Sequence, residues 1–253
     1  MIEFVIALLL LPLFPLSLLI NAILQALPVW VRLPLLLALP LAGSFALGMT
    51  PPPAGPLTLG LDILAAFTSL LYAWRLLVVR EVFIWARLQA TSAWPLVWMA
   101  WLHGMSPDKL MAVALALTVP AAALMLIACG LRRRMGAAYL GLLGRIGPAY
   151  PRLTGAWVVA LLAALAAPPF PGFFALLAVL HQISAALVAV VLVVWLLWSW
   201  AAAVLWQHGL FGPEHPRAAG TADLSTGVAA TWFMLAVAAM VLGLIGGWGW
   251  WIH

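Results

Sequence analysis

An apolar stretch from Thr154 to Gln182 is interrupted at Ala167-Pro168-Pro169-Phe170-Pro171-Gly172-Phe173-Phe174, and this interruption limits the available folds more than any other segment. Pro168, Pro169 and Pro171 remove three backbone donors and cannot continue an α-helix, and Gly172 lets the chain turn. Inside hydrocarbon such a break persists only where protein or a water-filled cavity satisfies the freed carbonyls. Two arrangements meet that condition. One is a spanning helix broken near mid-membrane, a device of transporters and ion-conducting subunits. The other is a tight hairpin between two helices.

The membrane setting follows from how little polar surface the chain owns. Of 253 residues, 67% are hydrophobic and 7% charged, too few to clothe a soluble fold of this size. The fold class is therefore all-α, a polytopic membrane bundle of about eight helices set by runs of about 20 apolar residues. The spans fall at 4–27, 29–49, 57–79, 109–131, 154–182 (the broken one), 183–207 and 226–252, with a weaker, Trp-rich segment at 88–103. They form a single membrane domain, with N-terminal helices over 1–103 and a C-terminal part over 104–253 that carries the break. No Lys or Arg precedes Arg32, so the basic n-region of a cleaved signal is missing and the first span is expected to be retained.

Charge placement decides whether the weak segment crosses. With it, Arg32, Arg75, Arg80, Arg87, Arg132, Arg133, Arg134, Arg145, Arg152 and Arg217 share one side, and only Lys109 is opposite. Without it, the Arg75–Arg87 and Arg132–Arg152 clusters would face opposite sides. The positive-inside rule keeps the segment, and it predicts a multi-pass protein of the bacterial inner membrane with both termini periplasmic. Trp30, Trp74, Trp85, Trp206, Trp248, Trp250 and Trp251 fall near span ends as expected of interfacial anchors, whereas Trp195, Trp198 and Trp200 sit deeper.

Ionisable residues within spans are candidates for function by default. Asp62 opens the third span, as a helix cap or as part of an ion path. Glu81 has Arg75 or Arg80 as a surface partner. His103 and Lys109 flank the short loop His103-Gly104-Met105-Ser106-Pro107-Asp108-Lys109, either a solvated turn or the mouth of a proton pathway. His181, just after the break, relays protons or hydrogen-bonds a freed carbonyl. His208 and His215 flank Glu214, but seven residues with Gly and Pro between them match no standard metal-ligand spacing. The single cysteine, Cys129, rules out an intrachain disulfide. There is no phosphate-binding loop, dinucleotide fingerprint, nucleophile elbow or zincin motif, so no cofactor, metal or catalytic residue is expected. The net charge of +5 is spread over loops and implies no nucleic-acid partner.

Arg145-Ile146-Gly147-Pro148-Ala149-Tyr150-Pro151-Arg152-Leu153, the apolar helix after it and the break at 167–174 together resemble the second broken helix of a known family. This is the antiporter-like subunits of respiratory complex I and of Mrp-type cation/proton antiporters. Leu210-Phe211-Gly212-Pro213 and Asp223-Leu224-Ser225 are similar to the family's final loop, and Leu59-Gly60-Leu61-Asp62 and His103-Gly104 to two of its helix starts. The resemblance covers mainly residues 140–230. It implies a shortened form lacking much of the first of two inverted repeats, including that repeat's own broken helix. The family's relay Lys or Glu after the second break is replaced by Phe174, Ala175 and Leu176.

The resemblance further implies a membrane-embedded subunit of a larger proton- or cation-translocating complex, as in complex I, Mrp or inorganic-carbon uptake systems. Its implied partners are lipid and a full-length antiporter-like subunit, and Arg132, Arg133, Arg134, Arg145 and Arg152 mark either a docking face for a cytoplasmic peripheral subunit or positive-inside topology alone. His103, Lys109, His181 and Asp62 would carry what remains of a proton path. Two other readings stay open: a self-sufficient small proton-coupled transporter, and a haem- or quinone-binding anchor of an oxidoreductase.

Overall fold

The computed structural model describes residues 2–140, 145–211 and 221–252, the last five of these by backbone only. Among them are ten helices: α1 (Ile2–Leu10), α2 (Leu16–Ala26), α3 (Val29–Gly48), α4 (Pro56–Leu76), α5 (Val82–Leu102), α6 (Pro107–Met135), α7 (Pro151–Ala164), α8 (Pro171–Gln182), α9 (Ala185–Leu210) and α10 (Thr226–Ile252). Helices α4, α6, α7 and α8 each start with proline in the first turn, where a missing N–H costs nothing. Helix α6 ends on Gly136, whose φ of 78° is the left-handed cap conformation that glycine adopts freely.

Helices α3, α4, α6, α9 and α10 are each long and apolar enough to cross a membrane alone. Two further crossings are broken. Helices α7 and α8 are separated at 165–170, as the prolines predict. Helices α1 and α2 are separated at 11–15, where Pro12 and Pro15 stop the first helix. Two expectations are thereby corrected: the span over 4–27 is not continuous, and the chain carries a second broken helix rather than the break at 167–174 alone. Both breaks contain a cis proline peptide, Phe14–Pro15 and Pro168–Pro169.

The eighth crossing is α5. It is the weak segment of the hydropathy pattern, yet it is the core of the molecule, with every residue except Ile84 buried. It packs against α2, α3, α4, α6 and α8. A helix enclosed by protein needs no lipid-facing residues, so it can carry Arg87, Gln89, Thr91 and Ser92 and read as only weakly hydrophobic. Trp85 at its start is fully buried rather than an interfacial anchor, whereas Trp30 and Trp74 are exposed as anchors should be.

Each break is held by a tryptophan and covered by a glycine. The Leu11 carbonyl accepts from Trp98 Nε1 at 2.8 Å, and the Leu165 carbonyl accepts from Trp195 Nε1 at 2.7 Å. Gln89 Nε2 donates to the neighbouring Ala164 carbonyl at 3.0 Å, and the Phe14 N–H donates to Thr68 Oγ1 at 3.0 Å. Partners supplied by other helices thus satisfy groups that a continuous helix would satisfy itself. Gly43 of α3 lies on the first break, where a Cβ would come within 2.6 Å of Leu11 Cγ. Gly243 of α10 lies on the second, where a Cβ would overlap the Pro169 carbonyl.

Candidate functional site

The alternating crossings sort the ionisable groups into two ends. At the histidine end lie the start of α4, the end of α5, the start of α6 and the end of α8. These four termini bring together all four residues singled out for a proton path. Asp62, in the second turn of α4, is buried, and its Oδ2 is 3.8 Å from Nε2 of His103, which caps α5. His103 Nδ1 lies 2.9 Å from the Met99 carbonyl. A carbonyl only accepts, so Nδ1 carries the proton in the neutral ring and Nε2 keeps its lone pair towards Asp62. Protonation of His103 therefore occurs at the nitrogen facing the carboxylate and creates an ion pair there. Asp62 Oδ1 is buried and has no hydrogen-bond partner among the described residues.

Lys109 and His181 line a shared cleft of about 50 Å³, together with Met105, Phe174, Leu177 and Gln182. That volume admits roughly three waters. Gln182 Nε2 donates to the His103 carbonyl at 2.5 Å, so the cleft wall is tied to the residue that pairs with Asp62. Residues from α4, α5, α6 and α8, up to 120 positions apart, thus form one cluster. Pro168, Pro169 and Pro171 contribute no polar side chain to it. They set the start of α8, and Gly172 fits against the Ala116 carbonyl and Ala166, 3.4 Å from where a Cβ would stand.

A second polar feature is built mostly of neutral residues, which charge placement does not reveal. Ser17, Asn21 and Gln25 recur every four residues along α2 and so share one face. Asn21 Nδ2 donates to Thr91 Oγ1 (3.1 Å), Tyr72 OH donates to Ser17 Oγ (3.0 Å), and Arg87 donates to Gln25 Oε1 (3.1 Å). Ser69 and Ser92 each donate to the other's carbonyl, at 2.6 and 2.8 Å, and Trp198 donates to Ser92 Oγ at 2.9 Å. The result is a polar seam between α2, α4 and α5, buried except at Gln25. The signal was present in the sequence as neutral polar residues at helical spacing within an apolar run.

At the arginine end the groups are largely occupied. Glu81 accepts from the Ile84 N–H at 2.7 Å and caps α5, rather than pairing with Arg75 or Arg80 on the surface. Burial holds its carboxyl above the ordinary 4.5, against the opposing pull of the Ile84 and Phe83 N–H groups and of Arg32 and Arg87. Arg32 donates to the Gln25 and Leu27 carbonyls that end α2. Arg134 donates to the Ala222 carbonyl and Arg152 to the Leu224 carbonyl, and Asp223 accepts from the Arg152 and Leu153 N–H groups at the start of α7. Arg132 stacks on Phe83, its guanidinium 5.2 Å from the ring centre. Arg145 lies just ahead of the 147–149 turn that leads into α7. His208 Nδ1 is 2.7 Å from the Val204 carbonyl, and Glu214, His215 and Arg217 lie outside the described residues.

No family model and no curated protein matches this chain. Solved structures do. A chain of respiratory complex I from Thermus thermophilus superposes with a TM-score of 0.79 at 20% identity, covering 96% of this chain and 53% of that one. A chain of the Mrp complex from Dietzia sp. gives 0.78 at 16% identity, over 96% and 55%. A chain of the membrane-bound sulfane sulfur reductase, an archaeal respiratory membrane complex, gives 0.81 at 18% identity, over 97% and 53%. The shared property is the fold. This chain is a multi-pass helical membrane protein with the architecture of one chain from each of these complexes, as the resemblance around the second break implied. It spans about half the length of the chains it matches.

Proposed function

We propose that this protein serves as an antiporter-like membrane subunit of a larger proton- or cation-translocating complex, contributing packing surface and part of a proton path. The observation that carries this reading is the uneven distribution of titratable groups. Asp62, His103, Lys109 and His181 gather at one end, and the polar seam between α2, α4 and α5 is built mainly of Ser, Thr, Asn, Gln and Tyr. Among the described residues, no carboxylate, imidazole or ammonium lies in the seam between Asp62 and Arg87. A proton crossing hydrocarbon needs titratable groups or water along the whole way. The histidine end is equipped for proton uptake or release, whereas the interior lacks a relay that would complete the transfer alone.

The remaining steps would then belong to a neighbouring subunit, in the first place a full-length antiporter-like one. The arginine end faces the cytoplasm of a bacterial inner membrane in this reading, with both termini periplasmic. Exposed Arg132 and Arg133 are the part of the basic cluster best placed to meet a peripheral cytoplasmic subunit, since Arg134 and Arg152 already hold the 222–224 segment. Purification from native membranes in mild detergent tests the proposal. Stoichiometric co-migration with other membrane subunits is expected. A chain that migrates alone, and that moves protons when reconstituted alone in vesicles, overturns it.

A further inference from the structure

Away from both ends, helices α4 and α9 leave a groove between them of about 330 Å³, lined by Phe67, Leu70, Leu71, Trp74, Val193 and Leu197. No polar atom lines it. Phe67, Trp74 and Val193 are 48%, 66% and 46% exposed, so the groove opens sideways. At its arginine end stands Arg75. It lies one turn beyond Leu71 on the same face of α4 and is the last basic group before that helix stops. Arg75 is exposed and has no carboxylate partner among the described residues; its guanidinium lies 5.6 Å from the Tyr72 ring centre.

We propose that this groove is a binding site for one anionic phospholipid, its acyl chain along Phe67–Leu197 and its phosphate on Arg75. The order of chemistry along the groove selects the ligand. An occupant of the apolar length needs no hydrogen bonds, and the occupant's end must carry negative charge at interfacial depth. An amphiphile with a long hydrocarbon tail and an anionic head meets both demands. Exposed Trp74 sits where the two parts join, the depth at which indoles favour the headgroup boundary. Of Arg75, Arg80 and Arg87, only Arg75 is free to meet the head, since Arg80 is held by the Leu77 and Val79 carbonyls and Arg87 is buried against Gln25. One engaged cation favours an anionic over a zwitterionic head by about fivefold.

The test is native mass spectrometry of the full chain, in detergent with phosphatidylglycerol and phosphatidylcholine of identical acyl chains. One retained phosphatidylglycerol is expected, at about fivefold preference. Arg75→Gln abolishes the preference, and Leu197→Trp fills the groove and lowers retention of both lipids. Retention of the wild-type preference by Arg75→Gln, or of wild-type lipid load by Leu197→Trp, overturns the proposal. Efficient cross-linking from Val193→Cys to another polypeptide in native membranes overturns it as well, because a subunit rather than a lipid would then cover the groove.

Discussion

Trp98→Phe isolates what holds the first break together. The indole N–H donates to the Leu11 carbonyl at 2.8 Å, and the Trp98 side chain is fully buried against Phe4 and Trp101. Phenylalanine keeps an aromatic ring in place but removes the donor, at a carbonyl whose residue, Leu11, is fully buried. Leaving a buried carbonyl unpaired costs about 1–3 kcal/mol, and the smaller ring adds about 1 kcal/mol of lost packing. The expected loss is therefore about 2–4 kcal/mol. An ordinary interhelical hydrogen bond in a membrane protein contributes only about 0.6 kcal/mol, because the unfolded helices find other partners. The excess arises because Pro12 and Pro15 prevent the Leu11 carbonyl from being satisfied within its own helix. Unfolding by sodium dodecyl sulfate titrated into mild detergent micelles, followed by circular dichroism, measures the difference. Trp200→Phe, at an indole 62% exposed, serves as the control and should stay within about 0.5 kcal/mol of wild type. A Trp98→Phe loss no larger than that of the control refutes the account of the break.

Gly243→Ala places a methyl group against the backbone at Pro169, Phe170 and Pro171, which cannot rotate away, so α10 must lift from the second break at a cost of about 3 kcal/mol in the same titration. Gly60→Ala, with open space around its position in α4, should instead stabilise by roughly 0.5–1 kcal/mol. Because burial raises the Glu81 carboxyl above 4.5, the folded state binds that proton more tightly than the unfolded state. Its stability contribution is fullest below pH 4.5 and falls as pH rises from there through the folded value; Glu81→Gln should remove this slope from unfolding curves measured across pH. Asp223→Ala removes the acceptor at the start of α7 and should cost about 1 kcal/mol, seen as roughly fivefold faster amide exchange at Arg152 and Leu153.

Particular residues show why some of this was legible in the sequence and some was not. The second break was plain because three prolines and a glycine within eight residues leave no helical alternative. The first break, Leu11-Pro12-Leu13-Phe14-Pro15, has two prolines amid continuous leucine, so hydropathy carries the eye across it. Helix α5 read as weak because hydropathy measures preference for lipid, and α5 touches protein on all sides. Proline inside a long apolar run is also ambiguous on its own: Pro34, Pro40, Pro95 and Pro120 lie within helices that continue through them. At the site, charge led directly to Asp62, His103, Lys109 and His181, though only the packing of α4, α5, α6 and α8 shows that they meet. The polar seam is built mostly of neutral residues, with Arg87 its one charge, and its members come from α2, α4, α5 and α9.

The Asp62–His103 contact separates a structural pair from a functional one, because the two roles predict opposite outcomes for the same substitution. Asp62 is buried with one carboxylate oxygen unpartnered and the other 3.8 Å from an imidazole, a poor return for removing a charge from water. Asp62→Asn removes that charge while keeping the shape, so stability should hold or rise by up to about 1 kcal/mol. A carboxylate retained at such a cost is explained if it exchanges protons with His103 Nε2. Proton flux by the assembled complex in vesicles should then fall at least about tenfold with Asp62→Asn, and likewise with His103→Gln, since each removes one of the two groups that would pass the proton. A variant that unfolds more easily but conducts normally would place the pair among the fold's fasteners and leave the proton path to other subunits.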